Sequence, residues 1–162
     1  MLTIGATPLV RAAKAGDVDA VRWLLEKRAD QNAAMADGIT PLAAAAGVGS
    51  RDSDTRGRYK TEKNAIDSIR FLLEAGAAIN VTDNRGQTPL HGAALWGWND
   101  LVQFLADRGA RPDAKDRRGM TPLDFAMGRA GGDGFGGNRV DVHEDTAALL
   151  KKLMAAAPEP RQ

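Results

Sequence analysis

The chain has 162 residues, enough for one ordinary domain that buries its own core. Its 22 basic and 21 acidic residues nearly cancel, which argues against a dedicated nucleic-acid or membrane-surface binder and leaves any charge signal local. Cysteine is absent, so disulfides, thiolate metal sites and cysteine nucleophiles are excluded while the redox compartment stays open.

At the amino terminus, residues 1–5 lack the basic segment and apolar run of an export signal. No stretch approaches the roughly 18 apolar residues that mark a membrane helix. The expected compartment is cytoplasmic by default, or periplasmic or secreted if an export signal has been removed.

From Thr7 onward a pattern recurs. Thr-Pro-Leu begins at Thr7, Thr40, Thr88 and Thr121, at spacings of 33, 48 and 33 residues, so the middle interval carries an insertion of 15. The flanks repeat in phase: Gly5, Gly38, Gly86 and Gly119 precede the threonines by two, and Asn32, Asn80 and Asp113 precede the next threonine by eight. A threonine can cap a helix whose first residue is proline, which has no amide hydrogen to leave unpaired there. A helix is therefore predicted to start at each Thr-Pro.

Repeat one, about residues 5–37, continues with Val18, Val21, Trp23, Leu24 and Leu25 as an amphipathic second helix. Its helix ends at Arg28, where repeats two and three have Gly76 and Gly109 to supply a left-handed cap, a difference expected to cost about 1 kcal/mol if the same conformation is kept. The repeat reads as an internal one that expects a neighbour, which predicts either a longer array or self-association through this uncapped face.

Repeat two, about 38–85, holds an insertion at about 50–64, rich in both signs of charge, between its two helices. Repeat three, about 86–118, has a first helix carrying Leu90, Ala93 and Ala94, a break at Gly97, and a second helix with Leu101, Val102, Phe104 and Leu105. In repeat four, about 119–157, a glycine-rich insertion at about 128–144 separates the helices, and the second resumes around Asp145 to Met154; residues 158–162 read as a flexible tail.

These residues resemble the ankyrin-repeat family, whose pattern of Gly-x-Thr-Pro-Leu-His, paired alanines and Gly-Ala-Asp-x-Asn is nearly complete between Gly86 and Asp113. In detail the chain looks like the C-terminal part of a longer bacterial ankyrin-repeat protein. The resemblance implies an all-α solenoid of stacked helix-turn-helix units with short β-hairpin or loop fingers, here with two inter-helix insertions, forming a single domain over residues 1–157. It also implies that His91 makes hydrogen bonds between adjacent repeats.

Nothing in the sequence supports catalysis. His143, within Asp141-Val-His-Glu-Asp145, could be drawn as a metal site with Asp133, but acids before a helix are better explained by capping and the helix dipole. Gly132, Gly134 and Gly137 have dinucleotide-fingerprint spacing without the strand that signal requires. No enzyme activity, metal or cofactor is expected.

The resemblance places partner contacts on the fingertips and inner helices. Here that surface comprises Thr82, Asn84, Arg85, Gln87, Leu95 and Trp96, then Lys115, Arg117, Arg118, Met120 and Arg129, with Asp83 and Asp116 turned inward to stabilise the fingers. Cations around one tryptophan match the composition of interface hot spots. The expected function is a non-enzymatic protein–protein interaction module binding a partner, an acidic or extended polypeptide, on this concave face; nucleic acid is disfavoured by the balanced charge and few aromatics.

Two alternatives stand beside it: a structural C-terminal cap for a longer array, and a small-ligand or metal site formed by the insertions. The insertions leave equivalent inter-helix junctions. They are expected either to be independent flexible loops or to fold over the turn of repeat three, placing Arg51, Arg56, Arg58, Phe135 and Arg139 near Trp98 as a second platform.

Overall fold

Each Thr-Pro site starts a helix. Thr7, Thr40 and Thr121 accept hydrogen bonds at their hydroxyls from the amides of Val10, Ala43 and Asp124, at 3.2, 3.3 and 3.3 Å. The computed structural model describes residues 6–49, 60–129 and 141–156. They form eight helices in four pairs, with no β-strand among the described residues: α1 (Pro8–Ala15) and α2 (Val18–Glu26), α3 (Pro41–Ala45) and α4 (Glu62–Glu74), α5 (Pro89–Leu95) and α6 (Asn99–Ala106), α7 (Pro122–Ala126) and α8 (Glu144–Ala156).

The pairs stack. One row runs α1 on α3, α3 on α5 and α5 on α7, and the other runs α2 on α4, α4 on α6 and α6 on α8. No pair could bury its apolar face alone; stacking neighbours makes the core continuous. Leu9, Val21, Leu42, Leu72, Leu90, Leu101, Leu105 and Leu150 contribute to that core at 1 % exposure or less. The alanines of the first helices let adjacent rows approach closely: Ala44, Ala45, Ala93, Ala94 and Ala126 are fully enclosed.

At the other helix ends the cap expectation holds: Gly76 and Gly109 have φ of +94° and +88°, and Arg28 takes the same left-handed conformation at +61°. Because a side chain there is strained, Arg28→Gly is expected to stabilise the fold by about 0.5–1 kcal/mol, partly offset by glycine's freedom in the unfolded chain. Urea unfolding of the variant against the parent checks this.

One boundary differs from the sequence reading. The insertion of repeat two ends sooner than residue 64, because Thr61 accepts the Asn64 amide at 3.1 Å and the helix begins at Glu62. The fingers take the loop form of that expectation, as tight turns: Met35, Asp83 and Asp116 each donate their amide to the carbonyl four residues on, at 2.9, 3.1 and 2.9 Å. Neighbouring fingers are tied together. Asn84 donates its amide to Asp37 O at 2.8 Å and its side chain to Ala36 O at 3.0 Å, and the Arg117 amide donates to Arg85 O at 2.8 Å. Gly86 permits that approach, since a Cβ there would sit 3.1 Å from the Arg117 nitrogen.

Candidate functional site

The fingertips are organised by two enclosed carboxylates. Asp83 and Asp116 are each 5 % exposed. Asp83 Oδ1 accepts from the amides of Arg85 and Gln87, both at 2.9 Å, and its Oδ2 accepts from Arg85 Nε at 3.1 Å. Asp116 does the same for Arg118 and Met120, at 2.8 and 2.9 Å, with Arg118 Nε at 3.2 Å. The inward turn expected of both aspartates is therefore present, and the guanidiniums of Arg85 and Arg118 are held to the fingers by ion pairs while remaining partly exposed.

Lys115 and Arg117 differ. Both are exposed, and neither side chain has a carboxylate partner among the described residues. Lys115 also lines a cleft of about 450 Å³ between the second and third fingers, with Asn80, Thr82, Gly86, Thr88, Arg111, Asp113 and Ala114. Among these, Asn80 ties the two repeats together by donating to Gly109 O at 2.9 Å and accepting from the Arg111 amide at 3.0 Å. Arg111 pairs with Asp113 at 3.4 Å, so Lys115 leaves the cleft and its rim net positive.

One expected contact residue is corrected by this geometry, and two others have atoms already engaged. Gln87 is buried at 7 % exposure and presents no side chain to a partner. It occupies the finger position that holds Ile39 in the preceding repeat, also buried at 4 %, and that equivalence was available in the sequence. Asn84 is exposed but spends its amide nitrogen on the neighbouring finger. Met120 is half-buried, and its carbonyl is taken by His91.

Trp96 lies at the other end of α5 from the finger arginines. It caps the C-terminal end of α5, whereas the fingers lead into the N-terminal end. A seven-residue helix separates the two by about 10 Å. Leu95, 38 % exposed, and Arg129, paired to Asp124 at 3.0 Å, lie at that same far end of the inner row. The expected cations and indole are thus spread along the inner row, from the fingers to the turns at the far end.

At the far end, the turns between paired helices make a second cluster. Trp96 stacks on Trp98 with centroids 5.8 Å apart and donates Nε1 to Gly47 O at 3.3 Å. Lys60, the last residue before the α4 cap, places its ammonium 5.6 Å from the Trp98 ring centroid and donates to Ala44 O at 2.6 Å. His143 arrives from the other insertion: its Nε2 lies 3.1 Å from Leu95 O and its ring covers Gly97. The stems of both insertions therefore meet the turn of repeat three. Arg51, Arg56, Arg58, Phe135 and Arg139, named for the second platform, lie outside the described residues, as do Asp133 and the glycines 132, 134 and 137. Lys60 was not singled out from sequence, because its role depends on where the insertion delivers it.

Burial, and secondarily the Lys14 ammonium nearby, pull the Lys60 pKa down to about 7. His91 is fully enclosed; Nδ1 accepts the Thr88 amide at 3.0 Å, which leaves Nε2 to donate to Met120 O at 3.1 Å in the next finger. Its pKa is lowered from 6.5, chiefly by burial, against opposing contributions from Met120, Asp116 and Asp83. Asp124 is held below the ordinary carboxylate value first by the Thr121 amide, with the Thr121 hydroxyl and Arg129 adding to it. Among the described residues no three acidic or histidine side chains gather as a metal site, and no helix is long and apolar enough to cross a membrane.

A family model described as ankyrin repeats (3 copies) matches residues 59–133, and one described as ankyrin repeat matches residues 4–35, together more than half of the chain. No curated protein matches it.

Proposed function

Because the chain belongs to the ankyrin-repeat family, whose repeats are generally protein–protein interaction modules, we propose that it is a non-enzymatic binding module that holds an acidic, extended stretch of a partner polypeptide against its second and third fingers. The observation that carries this reading is the pair Lys115 and Arg117: two exposed cations on one finger with no counter-charge among the described residues. Arg85 and Arg118 flank them with guanidiniums already oriented by Asp83 and Asp116. An oriented guanidinium loses less side-chain freedom when it meets a carboxylate, so it contributes more of its contact energy to binding.

The fingers are stiff for a physical reason. Each is closed by a buried aspartate and tied to its neighbour through backbone hydrogen bonds, so a partner would meet a preformed surface. Reversing two charges, Lys115→Glu with Arg117→Glu, is expected to weaken partner binding at least about tenfold while leaving the unfolding midpoint within the small range typical of surface substitutions. Binding is also expected to weaken with added salt. Pull-down or calorimetry with the captured partner reads both. Undiminished binding by the doubly reversed protein would favour the alternative in which these repeats only cap a longer array.

A further inference from the structure

We infer that the cleft between the second and third fingers is a specificity pocket for one carboxylate side chain of the partner, and that Asp113 limits how tightly that side chain is held. This rests on the acidic finger partner proposed above and locates where its chain is gripped. The cleft measures about 450 Å³, within the range of sites that hold a small ligand, so it has room for an acidic side chain and the backbone that carries it.

Charge distinguishes this cleft from its counterpart one repeat earlier. Between the second and third fingers the register places Thr82, Arg111, Asp113 and Lys115. Between the first and second fingers the same positions are Ala34, Ala78, Asn80 and Thr82, which offer an anion no cation. Thr82 is exposed, and its hydroxyl has no hydrogen-bond partner among the described residues, so the charged cleft also holds a neutral donor.

The guanidinium of Arg111 is only loosely committed. Its Nε and Nη2 each lie 3.4 Å from an oxygen of Asp113, at the outer limit of a hydrogen bond, and the two side chains are 68 % and 58 % exposed. An exposed ion pair of that kind contributes little, so an entering carboxylate can share the guanidinium. Asp113 opposes the same carboxylate. Arg111 and Lys115 set against Asp113 leave one net positive charge, which matches a single acidic side chain. The fold does not require that acid. At the equivalent position Asn80 bonds both Gly109 O and the Arg111 amide of the next repeat, whereas the Asp113 side chain meets only Arg111 among the described residues.

The test titrates the whole chain with a hexaglutamate peptide at pH 7 and low salt, with hexaglutamine as the uncharged control, and follows amide chemical shifts. Saturable shifts are expected at Thr82, Gly86, Ala114 and Lys115 with hexaglutamate alone. Asp113→Asn, which places there the residue type of the other two fingers, is expected to tighten binding about threefold, and Lys115→Gln to weaken it by at least as much. Asp19→Asn makes the same change in net charge on α2 and should leave the affinity unchanged. Shifts confined to Arg85, Arg117 and Arg118, with an affinity indifferent to residue 113, would overturn the pocket while leaving finger binding intact. Equal tightening by Asp113→Asn and Asp19→Asn would do the same, since net charge alone would then explain it. No saturable shift at any finger would overturn both the pocket and the finger reading.

Discussion

Replacing Gly92 by alanine is expected to lower the unfolding free energy by about 3 kcal/mol, equivalent to roughly 10 °C in melting temperature for a chain of this size. Gly92 sits inside α5, where the added methyl would meet the Ala46 carbonyl oxygen at 2.6 Å and the Val48 amide nitrogen at 2.8 Å. Those are backbone atoms of the preceding repeat. No rotamer change relieves the overlap, so repeats two and three must separate. Alanine at Gly109 provides the control: nothing lies within 4 Å of its Cβ, and only its φ of +88° opposes substitution, at about 1 kcal/mol. Urea unfolding of both variants measures the difference. Equal, small losses would mean that the rows of first helices are not packed as closely as described.

His91→Leu is expected to cost about 3 kcal/mol at neutral pH, because it leaves the Thr88 amide and the Met120 carbonyl without partners while preserving most of the volume. The edge-on contact between His91 and Phe125, with centroids 5.0 Å apart, is lost as well. The same substitution should change the pH response. His91 is neutral in the fold and its pKa is lowered from 6.5, so its unfolded form binds the proton more readily. Its contribution is therefore complete above about pH 6.5 and is lost as pH falls below that value toward the lowered folded one. The parent should lose stability between pH 7 and pH 5, and the leucine variant should lose less over the same interval. Asp124 acts lower: with its pKa depressed from 3.8, its contribution is present above that value and fades below it. Urea midpoints at pH 7 and pH 5 separate the two groups; an identical decline in both proteins would remove His91 from the account.

What the sequence made legible was local. Thr7, Thr40, Thr88 and Thr121 each precede a proline, and that dipeptide at a repeating interval favours a helix start from local chemistry alone. Arg28 stood at a glycine position, and the repeat register raised the question of a left-handed backbone that the fold answers with φ of +61°. The inward aspartates followed from their place in the finger. Properties that depend on how repeats lean on one another were harder to read. Gln87 looks like a polar surface residue unless it is set against Ile39, and Trp96 looks like a neighbour of Arg85 until α5 sets them at opposite ends. Lys60 looked like one more cation in a charged insertion. Only the packing of three turns gives it an enclosed site with an indole and a carbonyl.

The two surfaces that result have different chemistry. The fingers offer cations to water on a hydrogen-bonded frame, suited to long-range attraction and fast encounter with an acidic chain. The turn edge spends its cation and indoles on internal contacts and offers Leu95 and part of two indole rings. A partner held by charge should therefore engage the fingers first.

Site-specific photo-cross-linking in the native organism tests that claim most directly. A photoreactive residue is placed at position 117 on the third finger, at position 95 on the turn edge, or at position 152 on the outer face of α8. A covalent partner adduct at 117, suppressed by reversing Lys115 and absent at 152, is the predicted result. Adducts at 152 with none at 117 would contradict a finger-bound partner.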